Sequence, residues 1–185
     1  VIALDCRGHG KSEKPHDPAQ YGSKMAKDVV NLMDHLNLET AHVAGYSMGG
    51  MITINLIANY PDRLRSAIVG GMGWSEEPPG GADFGEQLAD AIDNGSIGPL
   101  ITALTPLGQP APTEEQIKAM SGMLFAMNDP KALAAVARGF TGLTVTKDQI
   151  AKNKVPVIGI VGEIDPPKVQ ADEVKANMGN VTAHV

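Results

Sequence analysis

The stretch His42-Val43-Ala44-Gly45-Tyr46-Ser47-Met48-Gly49-Gly50-Met51 constrains the fold more than any other part of the chain. Ala41 to Ala44 reads as a short strand running straight into a sharp turn, and a helix follows from Gly50 to Tyr60. The turn fits G-x-S-x-G, with Ser47 at its centre. A serine at such a turn holds a strained backbone that lifts its hydroxyl clear of the sheet, so a Cβ on a neighbouring residue would clash. Gly45 and Gly49 are therefore expected as steric requirements, Tyr46 as the residue leading into the turn, and Ser47 as a nucleophile. The following helix aims its N-terminus at the same point, where free N–H groups stabilise developing negative charge. The Met48 N–H is one such donor, and the Met48 side chain is incidental to that role.

The flanking chain supplies the pattern around this turn. Val1-Ile2-Ala3-Leu4, closed by Asp5, has the continuous apolar character of a buried parallel strand. Tyr21 to Leu36 reads as an amphipathic helix, with Met25, Val29, Leu32, Met33 and Leu36 three and four apart. The helix after Ser47 is apolar on nearly every side, which marks it as buried, and Pro61 stops it. Ser66 to Val69 is a further strand, ending in the glycine cluster Gly70-Gly71-Met72-Gly73, and Trp74 to Gly81 reads as a linker. From 82 to 150 only helical stripes appear, among them Ile117, Met120, Met123, Leu124 and Met127, expected to serve packing. Lys154 to Gly162 restores a strand, Glu163 and Asp165 stand at its C-terminal end, Pro167 to Met178 is a helix, and Val181 opens another strand.

This order gives an α/β class with a mostly parallel, doubly wound sheet and a helical insertion. The division is residues 1–73 for the first part of the core, 74–150 for a helical cap, and 151–185 for the second part. In such sheets functional groups gather at the strands' C-terminal ends, where Ser47 and Asp165 both fall.

Composition removes other classes. A net charge of −6 gives no electrostatic case for nucleic acid or anionic membrane. No apolar run approaches a membrane span and no signal peptide is visible. The single cysteine, Cys6, excludes an internal disulfide and suits a reducing, cytoplasmic setting. No metal-ligand spacing is present and no cofactor is implied. Gly10-Lys11-Ser12 resembles the end of a phosphate-binding loop, but Asp5 stands where its first glycine belongs and Pro15 and Pro18 replace the required helix. Gly8-x-Gly10 likewise begins a dinucleotide fingerprint and fails at Glu13.

Three segments carry a resemblance to a known family: Val1 to Ser12, a strand followed by D-x-R-G-x-G-x-S; Gly45 to Gly50, G-Y-S-M-G-G; and Val155 to Asp165, V-P-V-x-x-x-x-G-x-x-D. Together they resemble the α/β-hydrolases. The resemblance implies a chain order of serine, acid and histidine, with Ser47 and Asp165 as the first two and Glu163 as the backup acid. It implies a cap inserted after the strand holding Ser66 to Val69. It also implies that the catalytic histidine follows the last strand, beyond Val185, and that the second oxyanion donor precedes Val1. The chain is accordingly expected to be an internal piece of a longer protein, inactive and poorly folded by itself. Of its five histidines, His9 is expected to be structural, His42 packed in the core, His35 at a helix end and His16 solvated, while His184 falls within the last strand.

The implied chemistry is acyl transfer to Ser47 from a small-molecule ester or lactone, with a histidine taking the proton and a carboxylate orienting it. Carbon–carbon bond hydrolases and perhydrolases of the same fold use the same residues, and a non-catalytic binding protein can share the fold. Dehalogenase- and epoxide-type members resemble this chain with an aspartate in place of Ser47.

Overall fold

The computed structural model describes residues 1–75, 81 and 83–184, with the side chains of Ala183 and His184 left out. Four parallel strands form one sheet in the order β1 (Ala41–Tyr46), β2 (Leu64–Gly70), β3 (Val157–Ile160), β4 (Val181–His184). The core helices are α1 (Ser23–His35), α2 (Met48–Asn59) and α8 (Lys168–Asn177). Between β2 and β3 lie α3 (Phe84–Asp93), α4 (Gly98–Ala103), α5 (Glu114–Met127), α6 (Pro130–Arg138) and α7 (Lys147–Ala151).

The two-residue period of the strands decides which face is covered. Ala67 and Val69 of β2 and Val157 of β3 are buried on one face. Against that face α2 packs on β1 and β2, and α8 packs on β3 and β4. The apolar content of α2 is explained by this position: Ile52, Ile54, Leu56 and Ile57 are all buried. α1 packs on α2 and buries the stripe of Met25, Ala26, Val30 and Met33. Tyr46, Ile68, Ile158 and Ile160 are exposed on the opposite face. The sheet is therefore the parallel one expected, with its described helical layer on one side.

The helices between β2 and β3 carry a second apolar cluster, built from Leu88, Ala89 and Ile92 of α3, Ile101 of α4, and Leu133 of α6 among others. Arg138 fastens α6 to α3, reaching Glu86 at 3.1 Å, Asp90 at 2.8 Å and Asp93 at 2.9 Å. The start of α6 is fixed locally: Asp129 accepts from the Lys131 and Ala132 N–H groups, and Pro130 needs no N–H partner there. The second carboxylate oxygen of Asp129 meets His16 Nε2 at 2.8 Å, and this hydrogen bond holds the carboxyl below its ordinary pKa.

Three expectations are corrected. Val1 to Leu4 forms no strand, and Ile2 and Leu4 are exposed. A strand exists by pairing its backbone groups with a neighbour, and no described residue pairs with this segment. The methionine stripe of α5 does not pack inward: Met120, Met123 and Met127 are 51%, 69% and 71% exposed. Ile117, Leu124 and Phe125 take the inner side instead, beside the buried Ser121. His42 is not a core residue either. It lies on the exposed face of β1, with Nδ1 2.7 Å from Ser66 Oγ.

Most of the linker expected from Trp74 to Gly81 lies outside the described residues. Its first residue does not: Trp74 is 5% exposed and donates its indole N–H to Val145 O at 2.6 Å. No described helix is long and apolar enough to cross a membrane.

Candidate active site

Ser47 sits between β1 and α2 with φ 54° and ψ −118°, a region that residues other than glycine rarely adopt. The conformation is fixed from both sides. Ser47 N–H donates to Gly70 O of the neighbouring strand at 2.8 Å, and Ser47 O accepts from Gly50 N–H at 2.8 Å. The hydroxyl does not cap the helix it precedes. A serine at a helix N-cap ordinarily turns its oxygen back to the first-turn N–H groups, so this one is left for other use. Met48 opens α2, and its N–H has no intrahelical acceptor.

The glycines of the turn divide. A Cβ on Gly45 would stand 2.0 Å from Gly49 O and 2.5 Å from Thr53 Oγ1, because β1 and α2 nearly touch there. A Cβ on Gly49 would meet nothing within 4 Å, so the expected clash at Gly49 is corrected. The tight helical glycine is Gly50, whose Cβ would lie 3.1 Å from Met72 Cβ. Gly45→Ala is expected to cost about 3 kcal/mol or more, since backbone cannot yield to a 2 Å contact. Gly49→Ala is expected to be neutral or slightly stabilising, the ordinary result in a helix. Urea denaturation of the two variants checks this, and equal losses would contradict it.

The cluster after β2 has an architectural use. Gly71, at φ 57°, leaves room for the Tyr46 ring, which a Cβ would approach to 2.6 Å. Gly73 lies against the backbone of Gln170, at 2.2 Å for a Cβ, and so brings the loop after β2 up to α8.

Ser47 and Met48 line a cavity of about 310 Å³. Its walls come from α2 (Met51, Ile54), the loop after β2 (Met72, Trp74), α3 and α4 (Phe84, Leu100, Ala103), Phe140, Leu143 and Val145, and Pro166 and Pro167 before α8. Asp165 lies in the loop between β3 and α8, next to the lining Pro166, and does not itself line the cavity. Its carboxylate accepts from Gly162 N–H at 3.1 Å, closing a turn in which Asp165 N–H also donates to Gly162 O. Glu163 is exposed.

Among the described residues no histidine hydrogen bond leads to Ser47 or Asp165. His9 Nδ1 is 3.3 Å from Arg7 O, His16 pairs with Asp129, and His42 with Ser66. The His184 ring lies outside the described residues. Sequence reasoning missed Trp74, Phe140 and Leu143 as cavity residues, since nothing in a proline- and glycine-rich stretch or a helical insertion marks which apolar residues face a cavity.

Comparison with known proteins agrees with this architecture. Residues 1–91 match the family model described as alpha/beta hydrolase fold. A putative carbamate hydrolase RutD of Caulobacter segnis is 41% identical over 80 residues, 43% of this chain and 30% of the relative. 3-Oxoadipate enol-lactonase 2 of Acinetobacter baylyi is 27% identical over 175 residues, 93% of this chain and 64% of the relative. Among solved structures, Est816, described as an N-acyl homoserine lactone degrading enzyme, superposes with a TM-score of 0.71 at 24% identity over 97% of this chain and 71% of that one. A strained serine between a parallel strand and a buried helix, in a sheet of this order, defines a class. The chain is an α/β-hydrolase-fold protein. It spans 30% of the carbamate hydrolase relative and 64% of the enol-lactonase.

Proposed function

We propose that this chain carries the nucleophile and the acid of a serine hydrolase acting on small carboxylic esters or lactones. The observation that carries the reading is Ser47 itself: a non-glycine residue at φ 54°, its hydroxyl not spent on capping, opening onto an apolar cavity. Backbone strain of this kind costs ~1–3 kcal/mol and persists where surrounding structure enforces it, as at reactive sites.

In the proposed reaction Ser47 Oγ attacks the substrate carbonyl and gives its proton to a histidine base. The oxyanion forms against the Met48 N–H, a donor type whose loss costs ~3 kcal/mol of transition-state stabilisation. The alkoxide leaves with the proton, and water then releases the acid from Ser47 by the reverse sequence. Asp165 is the proposed carboxylate that holds the histidine. That histidine is proposed to lie outside residues 1–185, as the family resemblance implies. Residues 74–150 are the proposed cap, closing the cavity above Ser47.

The enzyme names among the relatives, a lactonase and a carbamate hydrolase, support hydrolytic acyl transfer as the reaction class. A burst experiment tests it in the full-length protein. Mixing with excess p-nitrophenyl butyrate should release one equivalent of p-nitrophenol per protein before the steady state, the signature of an accumulating acyl-enzyme. Turnover that survives in Ser47→Ala would contradict the proposal.

A further inference from the structure

The cavity beside Ser47 also specifies the chemical class of what enters it. Among the described residues that line it there is no Asp, Glu, Lys, Arg or His. Its polar side chains are hydroxyls and one carboxamide, from Ser47, Ser75, Thr141, Thr144 and Gln170. The rest is aliphatic, aromatic or thioether, with Met48, Met51, Ile54, Trp74, Phe140 and Leu143 among them. This is not a chain short of charge near its cavities. A second hollow, behind the Arg7–Asp28 ion pair, is lined by Asp5, Arg7, Glu13 and Asp28. Among the described residues, the contrast separates a charged recess from one without charged side chains that carries the candidate nucleophile.

Moving an ionised carboxylate from water into such surroundings, with no cation among the described lining residues to receive it, is costly, whereas an aliphatic chain is favoured. We infer that the Ser47 cavity takes an uncharged, aliphatic group and discriminates against carboxylate-bearing substrates. Within the proposed hydrolase this selects neutral alkyl lactones and medium-chain esters over anionic lactones, and it rests on the reading of Ser47 as nucleophile. Thioether walls suit such a ligand, because methionine side chains adapt to flexible apolar groups without a fixed shape.

Trp74 makes the inference measurable. It is the one tryptophan of these 185 residues, it is buried, and it lines the cavity, so in a Ser47→Ala protein, with Trp74→Phe as the control for other emission, it reports occupancy without turnover. Titration of the full-length Ser47→Ala protein with γ-octalactone should shift Trp74 emission saturably, and octanoate, of equal carbon count, should bind at least about tenfold more weakly at pH 7.5. γ-Hexalactone should bind weaker than γ-octalactone by about fourfold for each of the two methylenes lost. Leu100 is half-buried in the wall, so a lysine there can keep its ammonium near solvent. Leu100→Lys should narrow or reverse the preference for the lactone. Octanoate binding as tightly as the lactone to the Ser47→Ala protein with Leu100 in place would overturn the inference, and so would the absence of any saturable response. Either outcome leaves the nucleophile to be judged separately by covalent labelling of Ser47, so the two failures are distinguishable.

Discussion

Replacing Ser47 is expected to abolish turnover and, with one particular replacement, to stabilise the protein. Ser47→Ala should lower kcat about 10⁶-fold, the scale on which a serine hydrolase loses its nucleophile. Ser47→Gly should remove activity equally. Its effect on stability is the more telling one, because two opposing contributions have different sizes. Glycine relieves strain of ~1–3 kcal/mol at φ 54°, ψ −118°. It adds backbone freedom to the unfolded chain, which costs only ~0.5–1 kcal/mol. The strain is the larger, so Ser47→Gly should raise the unfolding free energy by about 1 kcal/mol while activity disappears. Such a variant separates a residue kept for chemistry from one kept for the fold. A destabilised Ser47→Gly would show that the turn is not strained in the way its dihedrals indicate.

The second large effect is expected at Asp165. Asp165→Asn should lower kcat about 10⁴-fold, because an amide in place of the proposed orienting carboxylate favours the wrong histidine tautomer. The substitution is conservative for the loop. An asparagine oxygen can still accept from Gly162 N–H, the bond that closes the turn at 3.1 Å. The protein should therefore melt close to the unaltered protein, and the loss should appear in kcat rather than in folding. Glu163, exposed two residues earlier, serves as the control: Glu163→Gln should change kcat by less than about threefold. A reversed pattern, with Glu163→Gln damaging and Asp165→Asn mild, would move the acid to Glu163.

Much of the frame was legible from pattern. The apolar runs at Ala41, Ser66 and Val157 became strands because each has a parallel neighbour to complete its ladder. The all-apolar helix after Ser47 became the buried α2 because one side meets the sheet and the other meets α1. Where the pattern misled, a partner decided the outcome. Val1 to Leu4 has the composition of a strand, yet composition supplies no neighbour. The methionines of α5 follow helical spacing, but that spacing does not say which side of a helix turns inward; Ser121, hydrogen-bonded to Ile117 O at 2.7 Å and to Ile97 N–H at 3.0 Å, lies on the buried side. At the turn itself, G-x-S-x-G points equally to Gly45 and Gly49, whereas only Gly45 is pressed against the helix. Ser47 could be picked out because its glycine context is local in sequence. The cavity walls could not, since Met51, Trp74, Leu100 and Pro166 meet only in three dimensions.

The covalent state of Ser47 is the most direct measure of the proposed chemistry. Full-length protein treated with a fluorophosphonate should gain the mass of one phosphonyl group. Peptide mapping should place it on the Ser47 hydroxyl, and Ser47→Ala should take up none. An adduct on another residue, with Ser47 unmodified and ester hydrolysis blocked, would contradict the assignment of Ser47 as the nucleophile.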